Sequence, residues 1–180
     1  MLNPDGVIHG NYRCSLSGRD LNRRWQEPNK DLFPEVYFVK NQIMEIYRKK
    51  QIKLILDLHG HTQRRKVFSY GCQDKNEPHR SRLFPYIVSK LTEFFDFRSC
   101  NFYIDKSKFG TARVTLFHLL RIPYVYTIET SQFGTNTGHL SGKVFQEVGE
   151  SIARSVLALF KIKMPKVEKK IPKIGLIFPA

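Results

Sequence analysis

Apolar positions along this chain recur with two periods, one of helices and one of strands, and the order of the segments predicts the architecture. After Pro34, the residues Val36, Val39, Ile43, Met44, Ile46 and Tyr47 fall at three- and four-residue spacing and run into Arg48, Lys49 and Lys50, predicting a helix over about 35–50. The run from Ile52 to Leu58, apolar apart from Lys53 and Asp57, predicts a buried strand ending at His59, with Gly60 favouring a turn before His61. Val67 to Gly71 reads as a short strand, followed by a polar loop over about 73–80 and a helix from about Ser81 to Phe95 with Leu83, Tyr86, Ile87, Lys90 and Leu91 along one side. Asn101 to Ile104 is a candidate strand, Ala112 to Leu120 a helix, Tyr124 to Glu129 a strand opened by Pro123, and Gly142 to about Lys161 a long helix. At the amino end, Asn3, Pro4, Asp5 and Gly6 form a strong turn signal.

Strands alternating with helices predict an α/β domain with a mixed, largely parallel sheet flanked by helices. The expected division is one domain over 1–160 and a basic carboxyl-terminal tail over 161–180. In that tail Lys161, Lys163, Lys166, Lys169, Lys170 and Lys173 are interrupted by Pro165 and Pro172, which reads as a solvated extension.

Composition narrows the class. At 180 residues, with 41% hydrophobic and 13% aromatic residues, the chain carries enough apolar material for a packed core and is not a disordered polyelectrolyte. Lys and Arg number 30 against 16 Asp and Glu, a net charge of +14 that favours acidic partners: nucleic acid, anionic lipid or acidic polypeptide. Cys14, Cys72 and Cys100 show no Cys-x-x-Cys spacing, and an odd number cannot all pair within one chain, which points to reduced thiols in an intracellular protein. No stretch approaches the roughly 20 apolar residues of a membrane-spanning helix, and the amino end lacks the pattern of a signal peptide, so no membrane partner is expected.

Three groups of residues carry candidate chemistry. His59, delivered by the end of an apolar strand, is either a metal ligand or a hydrogen-bonded structural imidazole. Asn22 and Arg23 offer an amide and a guanidinium fork that match a carboxylate, or else form a surface turn while Trp25 plugs the core. Glu129 closes the run Tyr124 to Ile128; a carboxylate placed there is paired, adjacent to a metal, catalytic, or solvated at the strand end. The residues alone leave these alternatives open.

Taken in order, Asn3-Pro-Asp-Gly6, Gly10-Asn-Tyr-Arg13, Gly18-Arg-Asp-Leu-Asn-Arg-Arg-Trp25, Asp57-Leu-His-Gly-His61, Phe68-Ser-Tyr-Gly-Cys72, Ser107-Lys-Phe-Gly-Thr-Ala-Arg113 and Tyr126-Thr-Ile-Glu129 resemble the cytosolic carboxypeptidases. Those are zinc metallocarboxypeptidases related to pancreatic carboxypeptidase A, and several trim glutamates from polyglutamylated tubulin and other acidic tails. The resemblance runs from Met1 to near residue 160 and implies a zinc carboxypeptidase-like fold lacking its first strands, which would expose a sheet edge. It implies His59 as a zinc ligand, Glu129 as general base and Arg13 as the cation that steadies the oxyanion. It implies Asn22 and Arg23 as the clamp on the substrate's terminal carboxylate, and Arg113 as the receptor for an acidic side chain. A zinc cofactor, acidic tails such as polyglutamylated tubulin as partners, and a cytoplasmic location with microtubule or cilium association follow from the same likeness.

One element of the family pattern is missing. The other zinc ligands belong to a His-x-x-Glu element, and the third residues after His9, His59, His61, His79, His118 and His139 are Tyr12, Thr62, Arg64, Arg82, Arg121 and Gly142. Two expectations follow: a truncated catalytic domain whose remaining ligands lie upstream, or an inactive, metal-deficient binding module for acidic tails. A nucleic-acid-binding domain is the rival from charge, with Phe68, Tyr70, Tyr103 and Phe109 near basic residues, but these rings fall at core-packing spacings and no recognised nucleic-acid motif is present. The stretch Gly138 to Lys143 is one residue short of a phosphate loop. Ser131 lacks the Gly-x-Ser-x-Gly elbow and Cys72 has no partner in the sequence, so covalent catalysis is not expected.

Overall fold

Successive residues of a strand face opposite sides of its sheet, and in the central strand β3 (Val125–Ser131) this alternation separates two cores. In this computed structural model, which describes residues 1–162 except 63, 133, 135–137, 139 and 140, β3 pairs in parallel with β1 (Ile55–His61) and antiparallel with β2 (Val67–Tyr70). The order β1, β3, β2 makes a mixed sheet. Val125 faces a core with Trp25, Phe33, Val36, Ala112, Leu116 and Leu120, brought by α2 (Pro34–Lys49) and α4 (Ala112–Leu120). Tyr126 and Ile128 face the other core with Phe84, Val88, Phe102 and Val148, brought by α3 (Arg80–Leu91) and α5 (Gly142–Leu159). A short α1 (Pro4–Ile8) precedes these elements. No described helix is long and apolar enough to cross a membrane.

Local chemistry sets the ends. Thr111 and Ser141 cap α4 and α5, their hydroxyls accepting from the N–H of Val114 and Val144, and Pro34 opens α2 at a position where its missing N–H is no loss. Arg121, in the left-handed conformation with φ of 52°, stops α4 and turns the chain toward β3.

Several sequence expectations are corrected. The first strand lies over Ile55–His61, not 52–58, and passes straight through Gly60, because Gly60 and His61 register with Thr130 and Ser131 and the ladder continues. No turn separates the two imidazoles. The turn signal at Asn3 to Gly6 is the first turn of α1, with the Asn3 side chain accepting from Gly6 N–H. Asn101 to Ile104 is not a strand: Asn101 makes an isolated bridge to Tyr70. The helix expected to reach Phe95 ends at Leu91, where Thr92 turns extended and Val67 N–H bonds Phe94 O. Its buried side is Ser81, Phe84, Pro85 and Val88, while Leu83, Tyr86 and Leu91 face solvent. Tyr103 and Phe109, expected in the core, are exposed. From residue 163 onward, the basic tail lies outside the described residues, as does part of the Gly138 to Lys143 stretch.

Tyr126 ties the sheet to α3: its ring is buried and its hydroxyl donates to Ser81 O at 2.8 Å. Tyr126→Phe leaves that carbonyl without its donor and should lower stability by about 1–2 kcal/mol. The measurement is urea denaturation, with a lowered midpoint and an unchanged slope.

Candidate functional site

The α2 and α4 cover packs over Val125 near the beginning of β3, and beyond it, at the carboxyl ends of the two parallel strands, polar side chains take over this face. On β1 these are Asp57, His59 and His61, which share a face with Ile55; on β3 they are Thr127, Glu129 and Ser131. His59 registers directly against Glu129, and on the far side of β3 Glu129 registers against Phe68 of β2. The carboxyl ends of parallel strands are where open α/β sheets place their chemistry. Phe68 is buried, and its ring meets His61 and Tyr70 edge-on at centroid separations of 5.0 and 5.5 Å, giving the site an apolar floor.

His59 is held by a neighbour on its own strand. Its Nε2–H donates to Asp57 Oδ2 at 2.8 Å, and this bond raises the imidazole pKa against the lowering effect of burial. Glu129 is half-buried. Burial lifts its carboxyl above the ordinary range; His59 offsets part of that, Asp57 adds to it, and Arg13 and Arg113 pull it down. The acid at 129 and the guanidinium groups at 13 and 113 therefore lie within one another's fields.

The amino-terminal segment is gathered by one carboxylate that the sequence reading left without a role. Asp20 caps the single turn Leu21–Arg23 by accepting from Asn22 N–H at 2.9 Å, and its other oxygen takes Arg13 Nη1 at 3.3 Å and lies 3.9 Å from Arg23 Nη1. Arg23 also donates to Asn22 O at 2.9 Å. The Asn22 Oδ1 accepts from Ala112 N–H at 2.9 Å, so the start of α4 is fastened to the Leu21–Arg23 turn one residue before Arg113, and the Asn22 amide nitrogen remains as donor. Trp25, whose N–H donates to Gly110 O at 3.0 Å, plugs the α2–α4 core as its alternative reading required. A Cβ on Gly110 would stand 2.6 Å from Arg23 O, so only glycine allows this approach.

Arg113 is buried at 6% exposure, its guanidinium donating to Gly71 O and, at 3.1 Å, to Cys72 Sγ, and lying 5.9 Å from the Tyr70 ring. Among the described residues no carboxylate pairs with it within 4.0 Å. Burial pushes the Cys72 thiol up, and Arg113 only partly offsets this, so the thiol stays protonated.

The metal expectation meets a limit. Among the described residues no group of three or more His, Cys, Asp and Glu side chains is placed to hold a metal ion. His59 supplies one imidazole, with its Nε2 already bonded to Asp57. The side chains present do not by themselves fit a zinc site of the family type.

No family model matches the chain. It is 37% identical over 193 residues to cytosolic carboxypeptidase 1 of Gallus gallus, an alignment covering 96% of this chain and 16% of that protein. It is 44% identical over 141 residues to cytosolic carboxypeptidase 2 of Mus musculus, covering 77% of the chain and 16% of the relative. The chain thus spans about a sixth of the length of these relatives. Among solved structures, a metallo-carboxypeptidase from Burkholderia cenocepacia superposes with a TM-score of 0.77 at 21% identity, over 89% of this chain and 43% of that one. A metallo-carboxypeptidase from Pseudomonas aeruginosa superposes equally well at 24% identity, over 89% and 44%. At these identities the superpositions establish the fold.

Two outcomes test the site's construction. The folded state holds the His59 proton more tightly than the unfolded chain, so its stabilisation is complete below the ordinary imidazole value near 6.5 and is lost as pH rises through the higher folded value. Asp57→Asn should therefore lower stability by about 1 kcal/mol at acid pH and by less at alkaline pH, read from urea melts in both conditions. Gly110→Ala should destabilise by about 1–3 kcal/mol and shift the Trp25 fluorescence, because the Arg23 backbone must move away.

Proposed function

Because the chain belongs to the cytosolic carboxypeptidase family, we propose that the face shared by His59 and Glu129 is the substrate-facing part of a carboxypeptidase site that takes the carboxyl-terminal end of acidic polypeptides. The reaction is hydrolysis of the last peptide bond, releasing glutamate in the first instance, and polyglutamylated tubulin is the partner of this class that the reading names. A cytoplasmic location, associated with microtubules or cilia, accompanies it.

The observation that carries the reading is the registration of His59 against Glu129, in the field of a buried guanidinium, Arg113, that has no carboxylate within 4.0 Å among the described residues. Arg113 keeps its full charge while bonded only to a carbonyl and a thiol, which suits it to pair with an incoming carboxylate. Asn22 and Arg23 hold the substrate's terminal carboxylate through an amide and a guanidinium fork. Arg13 lies at the exposed rim and steadies the negative charge that develops on the scissile carbonyl oxygen. Glu129, its carboxyl raised by burial, is a stronger base than an ordinary glutamate; it takes the proton of the attacking water and passes it to the leaving amine. The net charge of +14 draws acidic tails inward, an effect that fades as salt rises.

A second reading has its own support. The described residues lack a complete metal set, which favours binding of acidic tails over turnover by this segment alone. Equilibrium dialysis against zinc and an assay of glutamate release from a polyglutamate peptide separate the two. The expected result for the chain by itself is no tight equimolar zinc and little release, with peptide binding weakened about 10- to 100-fold by Arg23→Ala. Tight zinc with full turnover would show that the ligand argument is wrong, and binding indifferent to Arg23 would remove the clamp. In a polypeptide carrying this segment together with a complete metal set, Glu129→Gln should cut turnover by roughly 100-fold or more while substrate still binds.

A further inference from the structure

Away from the His59 and Glu129 face, an open cleft of about 420 Å³ lies between the carboxyl end of β2, the first turns of α3 and the Phe97–Ser99 turn. Its lining includes two guanidinium groups, Arg82 and Arg98, two amides, Gln73 and Asn101, and the rings of Phe102 and Tyr103. Arg82 is held in place: Nη2 donates to Gln73 Oε1 at 2.7 Å, Nη1 donates to Pro78 O, and the guanidinium lies 5.0 Å from the centre of the buried Phe102 ring. Neither arginine has a carboxylate within 4.0 Å among the described ion pairs.

The acids nearby are engaged by other donors, although Asp96 also lies in the field of Arg98. Asp96 accepts from the N–H of Arg98 at 3.0 Å and from the Ser99 hydroxyl at 2.7 Å, Asp74 accepts from Asn76 N–H at 2.7 Å, and Glu77 pairs with Arg80 at 2.6 Å. The cleft is thus a pair of cations with one oriented fork, flanked by amides and by Tyr103, which is 75% exposed. It adjoins the site already described: Phe102 packs so closely on Gly71 that a Cβ there would meet its ring at 2.6 Å, and the carbonyl of Gly71 holds Arg113.

We propose that this cleft is a second, non-catalytic binding site for an acidic peptide segment, whose carboxylates pair with Arg82 and Arg98 while its backbone meets Gln73 and Asn101. The inference rests on the reading that acidic polypeptides are this chain's ligands. Peptide rather than nucleic acid fits the lining, because a nucleic-acid strand is tracked by a row of cations with several exposed stacking rings. Here two arginines line one hollow and Tyr103 is the one exposed ring among its walls.

The test uses the whole chain and a fluorescently labelled hexaglutamate whose carboxyl terminus is amidated, so that the terminal-carboxylate clamp has nothing to hold. Anisotropy titrations at fixed salt should show binding that the Arg82→Gln/Arg98→Gln double variant weakens about tenfold or more, while Arg23→Ala changes it by less than about twofold. Circular dichroism checks that the double variant is folded. If it is not, Arg98→Gln decides alone, since that side chain is exposed and makes no hydrogen bond among the described residues; about a threefold loss supports the site. An unchanged dissociation constant in the folded variants overturns it. Tighter binding of a single-stranded oligonucleotide of equal charge, lost in the same variants, overturns the peptide assignment. The free-acid form of the peptide reports on the clamp separately: equal binding of acid and amide removes the Arg23 role and leaves the cleft result standing.

Discussion

A parallel ladder running from Ile55 opposite Val125 to His61 opposite Ser131 sets which side chains share the site. Parallel strands carry their carboxyl ends to one edge, so the last polar residues of β1 and β3 emerge together where the helical cover ends. A one-residue slip in this register would turn His59 away from Glu129 and leave Leu58 facing it. The registration is enforced by burial: Val125 must meet the α2 and α4 core while Tyr126 and Ile128 meet the core of α3 and α5.

Electrostatics around that ladder follow from partial burial. Glu129 is too covered to ionise as easily as a free carboxylate, yet His59, Arg13 and Arg113 keep it from becoming inert. His59 is oriented by Asp57 from two residues back, on the same strand face. Asp20 does the equivalent work for the amino-terminal segment, since a single carboxylate caps the turn bearing Asn22 and draws Arg13 and Arg23 to one place. The N–H of Ala112 bonding Asn22 then couples that turn to the helix that carries Arg113. Among the described residues Arg113 on this side and Arg82 and Arg98 in the cleft have no carboxylate within 4.0 Å.

Much of this was legible in the chain. The helices α2 and α4 and the strand β3 announced themselves through three- and four-residue spacing and through a β-branched apolar run ending in an acid, because those patterns report which side must be buried. The ordered motifs named His59 and Glu129, which the parallel ladder sets in register. Less legible were positions where a tertiary partner overrode a local signal. Gly60 reads as a turn but continues β1, since the neighbouring strand supplies its ladder. Asn101 to Ile104 looks like a strand but has a single bridge to pair with. The helix α3 buries Phe84, Pro85 and Val88 instead of the Leu83 and Tyr86 side, because its contact with Tyr126 and α5 lies there.

The sequence by itself determined most of the element types, the excess of cations and the candidacy of His59, Glu129, Asn22, Arg23 and Arg113, since periodicity, charge and motif order are properties of the chain alone. Only the tertiary structure decided that His59 and Glu129 stand side by side, that Asp57 holds His59 and Asp20 gathers Arg13 and Arg23, and that Arg113 is a buried cation with no carboxylate within 4.0 Å among the described residues. Those facts depend on contacts between segments far apart in the chain, and a linear pattern carries no record of which distant group will satisfy a given charge.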